Sequence, residues 1–302
     1  MTDETSQRRS TQTRYFAIFL LVLIAVGNGV LQELVTYSLR NATASHVILV
    51  PFVTIALILR ERQEILSSLR PAPRLGTAVV IAGVGIMLLG RLSATGLLSE
   101  DRLSVSVAGF VVASVGGFLL FYGTKACRAA LFPLLFLGFT VPFPTGIIAT
   151  VTATLKQGSA DTVAGLLALT GTPYIREGFV FSVPKFVIEI ADECSGIRSS
   201  IGLLLTMLLA SHTFLKSGWA KSVVVLAILP VAILKNGIRI VTLTLLAIHV
   251  DRGFLDGQLH HEGGIVFFLV GLVMLAPLVF WLYRAELRLE RRKSPQAVLC
   301  SR

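Results

Sequence analysis

The sequence predicts an all-α polytopic membrane protein, with about eight transmembrane helices and both termini on the cytoplasmic side. Three observations carry this expectation. Of 302 residues, 54% are hydrophobic and 15% charged, with a mean hydropathy of +0.79, far from the balance of a soluble domain. Apolar runs long enough to cross a bilayer recur along the chain. Lys and Arg gather in the segments that join those runs on one side.

A hydrocarbon core about 30 Å thick takes roughly 20 apolar residues in a helix, and about 17 at the least. Eight runs approach or meet that length, over residues 15–34, 44–59, 76–92, 103–122, 131–155, 197–215, 223–250 and 264–283. The first follows a basic tail with Arg8, Arg9 and Arg14. That is how a signal peptide begins, but no A-x-A-like site closes the run and it is long enough to span, so it reads as a retained signal anchor. The seventh is interrupted by Pro230, Lys235, Asn236 and Arg239, and could be one tilted or kinked span or two short ones. Topology separates the two. With a single span there, 17 of the 27 Lys and Arg fall on the side of both tails, 8 on the other and two within the span. The positive-inside rule then places both termini in the cytoplasm. Splitting the run would move Arg284, Arg288, Arg291, Arg292 and Lys293 outside. The organisation expected is a basic tail over 1–14, one membrane domain over 15–283 with a long outer segment at 156–193, and a basic tail over 284–302.

The net charge of +10 and a pI near 10.0 do not point to nucleic acid. The basic residues are spread over short loops and tails and form no stripe with interleaved aromatics. Cysteine is scarce: Cys127, Cys194 and Cys300 make an odd count without paired spacing. Neither a disulfide framework nor a C-x-x-C metal knuckle follows from it. No internal repeat is visible.

The outer segment holds two β-prone runs, 178–183 and 186–190, flanking Pro184-Lys185. They predict a hairpin that leads into Ala191-Asp192-Glu193-Cys194. Cys194 then stands at the outer mouth of the sixth span. A lone Cys often behaves as a small inert hydrophobe. Here Asp192 can cap the following helix, and a thiol in a first helical turn feels the positive end of the macrodipole, which favours the thiolate. Arg198 would act in the same direction and Glu193 against it.

Arg239 lies in the outer half of the seventh span, where a charge costs at least about 2.5 to 3.5 kcal/mol. It can snorkel to the headgroups, join an ion pair, or serve a site. Asn236, three residues earlier, shares its helix face. On the same outer side, His260-His261-Glu262-Gly263-Gly264 precedes the eighth span. Adjacent histidines lack the four-residue spacing of a zinc helix and no third ligand is evident, so no metal is expected. A neutral imidazole on the same face as a thiol suits a general base and acid. The same polar residues also fit a transporter or lipid-handling protein, in which midspan Asn, Lys and Arg mark a substrate pathway, or a non-enzymatic polysaccharide-export subunit.

Glu193-Cys194-Ser195-Gly196-Ile197-Arg198 resembles the cysteine motif of the exosortase/archaeosortase family. Asn236-Gly237-Ile238-Arg239 is similar to that family's N-x-x-R motif. His260, Gly264, Phe267 and Phe268 are similar to its third motif, a His followed four residues later by Gly and then aromatics; His261 is off that register. Weaker likenesses lie at Ser45-His46, at Pro142-Phe143-Pro144, and at Gly171-Thr172-Pro173 with Arg176-Glu177-Gly178. The resemblance covers most of the chain, with three motifs in order. It implies a multi-pass enzyme of the inner membrane that needs no cofactor and works on the extracytoplasmic face. Its partners would be exported proteins whose C-terminal tails carry a PEP-CTERM-like motif, one transmembrane helix and a basic cluster. Cys194 would attack a peptide carbonyl, His260 would move the proton, and Arg239 would stabilise the oxyanion or grip a carboxylate. Asn236, Arg198, Glu193 and His261 would support the site. Transfer to an amine-bearing lipid or glycan is implied over hydrolysis, with membrane lipids as the setting.

Overall fold

The structure is a computed structural model and describes residues 2–92, 98–251, 253 and 264–299. It divides into two compact units, 1–148 and 149–302. Among the described residues, six helices are long and apolar enough to cross a membrane, or up to eight if each of two bent pairs is one span. The all-α polytopic class read from the sequence is therefore the fold.

In the first unit, α1 (Thr2–Val26) and α2 (Asn28–Arg40) meet at a 73° bend, where the sequence suggested one straight span. The bend falls at Gly27, a poor helix former. A Cβ there would lie 2.9 Å from the Phe110 ring. A 3-10 turn (Ala42–Ile48) continues into α3 (Leu49–Arg60), and the short α4 (Arg62–Ile65) follows. The helices α5 (Pro73–Leu92) and α6 (Ser99–Ala129) pack backbone to backbone. Gly76, Gly83 and Gly90 recur every seven residues on α5, and Gly109 and Gly116 do so on α6. A Cβ on Gly83 would sit 2.3 Å from the Ala113 nitrogen, and one on Gly109 2.2 Å from that of Met87. Lipid offers helices no hydrophobic drive to associate, so close van der Waals contact between small residues holds them.

The fifth apolar run is not one helix. It breaks at residues 141–144 between α7 (Leu131–Leu137) and α8 (Thr145–Leu169), because Pro142 and Pro144 have no N–H to donate and restrict the residues before them. Asp101 caps the start of α8 by accepting from Thr145 N at 2.8 Å and Thr145 Oγ1 at 2.9 Å.

In the second unit, residues 156–169 of the expected outer segment lie in α8. Leu155, Ser159, Val163 and Leu167 form one buried stripe at helical spacing, while Lys156, Gln157 and Asp161 keep to the other face. Beyond it come β1 (Ile175–Glu177), β2 (Val180–Val183) and β3 (Phe186–Glu189), an antiparallel sheet in that order. The expected hairpin is β2–β3, with Val183 opposite Phe186 across Pro184-Lys185; β1 adds a strand the sequence reading did not foresee. Phe181, Val183 and Phe186 pack on Val163 and Leu167 of α8. Lys185 ties the hairpin to the C-terminal end of the helix over Gly218–His249 by donating to the Ile248 carbonyl.

The remaining helices are α9 (Ile197–Phe214), α10 (Gly218–His249) and α11 (Gly264–Leu299). The seventh run is thus one helix despite Pro230, as the charge distribution required. The helix of the eighth run extends through the stretch read as a tail. Leu203, Leu275 and Leu282 share a core with Val224 and Ile228. Glu286 fastens α11 to the α9–α10 turn by accepting from Lys216 N and Ser217 N, each at 2.9 Å, and from the Ser217 hydroxyl.

Candidate active site

Cys194 lies in a 3-10 turn (Asp192–Ser195) that precedes α9. The sequence reading put it in the first turn of that helix with Asp192 as cap; the structure differs. Gly196, at φ 74°, is the residue that caps α9, and it reverses the chain so that the Cys194 turn is a separate element. Only a residue without a Cβ takes that conformation cheaply. A Cβ there would also stand 2.6 Å from Asn236 Oδ1. Asp192 points elsewhere, to an ion pair with Lys156 of α8 at 2.9 Å.

The turn is fixed from within and from α10. Cys194 N donates to Ala191 O at 3.0 Å. Asn236, 1% exposed, donates through Nδ2 to the Cys194 carbonyl at 2.8 Å and to Ser159 Oγ at 2.9 Å. One amide therefore joins α8, α10 and the turn. Gly237 makes this approach possible, since a Cβ on it would lie 2.3 Å from Thr162 Cγ2 of α8.

Arg239, part-buried on the same helix, interacts electrostatically with Cys194. Arg198 is exposed on α9. The backbone of Glu193 belongs to the turn, and its side chain is outside those described. His260 and His261 lie outside the described residues. Gly264 opens α11, and Phe268 on that helix faces α9, where a Cβ on Gly202 would be 3.6 Å from its ring.

A protein-family comparison matches the chain over residues 38–277 to the transmembrane exosortases. The matched span takes in the Cys194 turn, Asn236, Arg239 and the His260 register. The chain belongs to the transmembrane exosortase family. Neither the curated proteins nor the solved structures yielded a match. At the level of the family, membership carries a sorting-signal-processing transpeptidase that works in a membrane.

In this exosortase, two of the weaker likenesses meet within the first unit: the His46 and Phe143 rings stand 6.0 Å apart. The third supplies turns, with Gly171 and Gly178 at positive φ. Among the described residues no three His, Cys, Asp or Glu side chains gather as a metal site needs. The chemistry available at the turn is a thiol, a buried amide and a guanidinium: a nucleophile, a group that orients it, and a cation able to meet developing negative charge.

Sequence reasoning overlooked four residues here. Lys235 is 1% exposed and donates to Ser199 Oγ. In the sequence it stands out as a midspan charge without a partner. Ser159, the second acceptor of Asn236, carries no local signal because it lies 77 residues away. Ser195 is fully buried, and its hydroxyl has no partner among the described residues.

Proposed function

We propose that this chain is a membrane cysteine transpeptidase that removes the C-terminal sorting signal of exported proteins through a thioacyl intermediate on Cys194. The observation that carries the reading is the convergence of Asn236 and Arg239, on one face of α10, upon the Cys194 turn. The Cys194 thiolate attacks the carbonyl carbon of the scissile peptide bond, having passed its proton to His260. Arg239 donates to the tetrahedral oxyanion, where a guanidinium shielded from water acts most strongly and needs no reorganisation. The C–N bond breaks as His260 returns the proton to the leaving amine, and the tail departs. An amine on a lipid or glycan acceptor then attacks the thioester and gives a proton to His260, the C–S bond breaks, and the thiolate is restored.

Asn236 keeps the Cys194 backbone in register for that attack, and Arg198, Glu193 and His261 are cast as supporting residues. Substrates are exported proteins ending in a short motif of PEP-CTERM type, one hydrophobic helix and a basic cluster. The enzyme sits in the inner membrane with both termini cytoplasmic and its site on the far face, as the Lys and Arg distribution supports. Co-expression with candidate tail-bearing proteins, followed by mass, tests the reading. Loss of the tail with the wild-type chain and full retention with Cys194→Ala is expected. Tail loss that survives Cys194→Ala sinks it.

A further inference from the structure

Lys235 is a charge in a place where charge is expensive. Its aliphatic stem runs between α9 and α11: a Cβ on Gly271 would lie 3.3 Å both from Lys235 Cδ and from the Leu203 side chain. Among the described residues no ion pair joins a carboxylate to the ammonium. Arg239 stands one helical turn further along the same face, close enough for its charge to act on Lys235. Two cations so placed repel each other and call for an anion nearby.

The hydrogen bonds of Lys235 lead to the nucleophile. Its ammonium donates to Ser199 Oγ. The single Ser199 proton goes to the Gly196 carbonyl at 3.0 Å, which also accepts from Ser200 N at 3.0 Å and Ser200 Oγ at 2.8 Å. Donation from a cation strengthens the donation that follows it. Asn236, the next residue of α10, holds the Cys194 carbonyl. Consecutive residues of one helix thus reach the carbonyls on both sides of Ser195, one directly and one through Ser199.

We propose that Lys235 is a positioning residue for the nucleophile, which through Ser199 locks the Gly196 end of the Cys194 turn and, together with Arg239, favours the thiolate. The proposal rests on reading Cys194 as the nucleophile, and it adds a residue outside the three family motifs. Besides Arg239, the described charged groups around the turn are the Lys156–Asp192 pair, linking α8 to the turn itself, and exposed Arg198 on α9. The nearby faces of α11 are apolar at Phe268 and Gly271.

The test is the rate of Cys194 alkylation by iodoacetamide across pH, in the full-length chain with Cys127→Ser and Cys300→Ser so that one thiol is left. Lys235→Met should slow alkylation about tenfold at pH 7 and move the half-maximal rate up by about one pH unit, with an unchanged plateau at high pH. Met fills the same space without a charge, an exchange that buried sites commonly tolerate. Lys235→Gln is a second variant, and should shift the profile in the same direction. Lys125→Gln, a change to an exposed cation on α6 of the first unit, should leave the profile in place. A wild-type profile in both Lys235 variants, or an equal shift in Lys125→Gln, overturns the proposal. If tail removal survives Cys194→Ala, the transpeptidase reading fails, and the alkylation profiles still decide the role of Lys235.

Discussion

Asn236 donates its side-chain amide to the Cys194 carbonyl at 2.8 Å across 42 residues of sequence. The second hydrogen of that amide goes to Ser159, so the group that orients the thiol is itself held by a third helix. Asn236→Ala should strand two buried polar groups, at about 1–3 kcal/mol, and lower tail removal at least about tenfold. Asn236→Asp keeps the shape but an ionised carboxylate cannot donate, so it should do at least as much harm. Processing by mass, read beside thermal stability, checks both; full activity in Asn236→Asp would remove the amide from the mechanism.

Cys194 should tolerate no replacement. Cys194→Ala should abolish processing and Cys194→Ser nearly abolish it, since a hydroxyl needs much stronger base assistance than a thiol. In intact cells a membrane-impermeant thiol reagent should label Cys194 in preference to Cys127 and Cys300. Labelling confined to the latter two would reverse the proposed orientation.

Arg239→Lys separates charge from geometry. The charge stays and the planar fork is lost, so directed hydrogen bonding to an oxyanion or carboxylate predicts a fall of about 10²-fold or more. A mild loss would mean that charge alone suffices.

The histidines divide by register. His260→Ala should be severe and His261→Ala mild, because only His260 stands four residues before Gly264. Single-turnover processing rates distinguish them, and the reverse ranking would transfer the proton-moving role to His261.

The contact between α5 and α6 should be intolerant of bulk. Gly109→Val places atoms where Met87 N would be 2.2 Å away, which should cost about 2 kcal/mol or more by overpacking. Gly85→Ala, with nothing within 4 Å of the new carbon, should stay within about 0.5 kcal/mol. Thermal unfolding in detergent compares the two.

The membrane class, the single seventh helix, the β2–β3 hairpin and the three motifs were legible in the amino-acid sequence. Each depends on local hydropathy, on charge summed over loops, or on residues adjacent in the chain. Tertiary structure alone decided how those pieces act on one another. The bend at Gly27 and the break at residues 141–144 lie inside runs whose hydropathy is continuous, and hydropathy does not register backbone geometry. The placement of Cys194 ahead of α9 turned on the left-handed Gly196, which fits because Asn236 of α10 occupies the space a Cβ would need. Lys235 looked like an interruption of a span until Ser199 of another helix supplied its acceptor. Such pairings join residues tens of positions apart, and they exist only once the helices pack, because a buried polar group takes its partner from whatever surface closes over it.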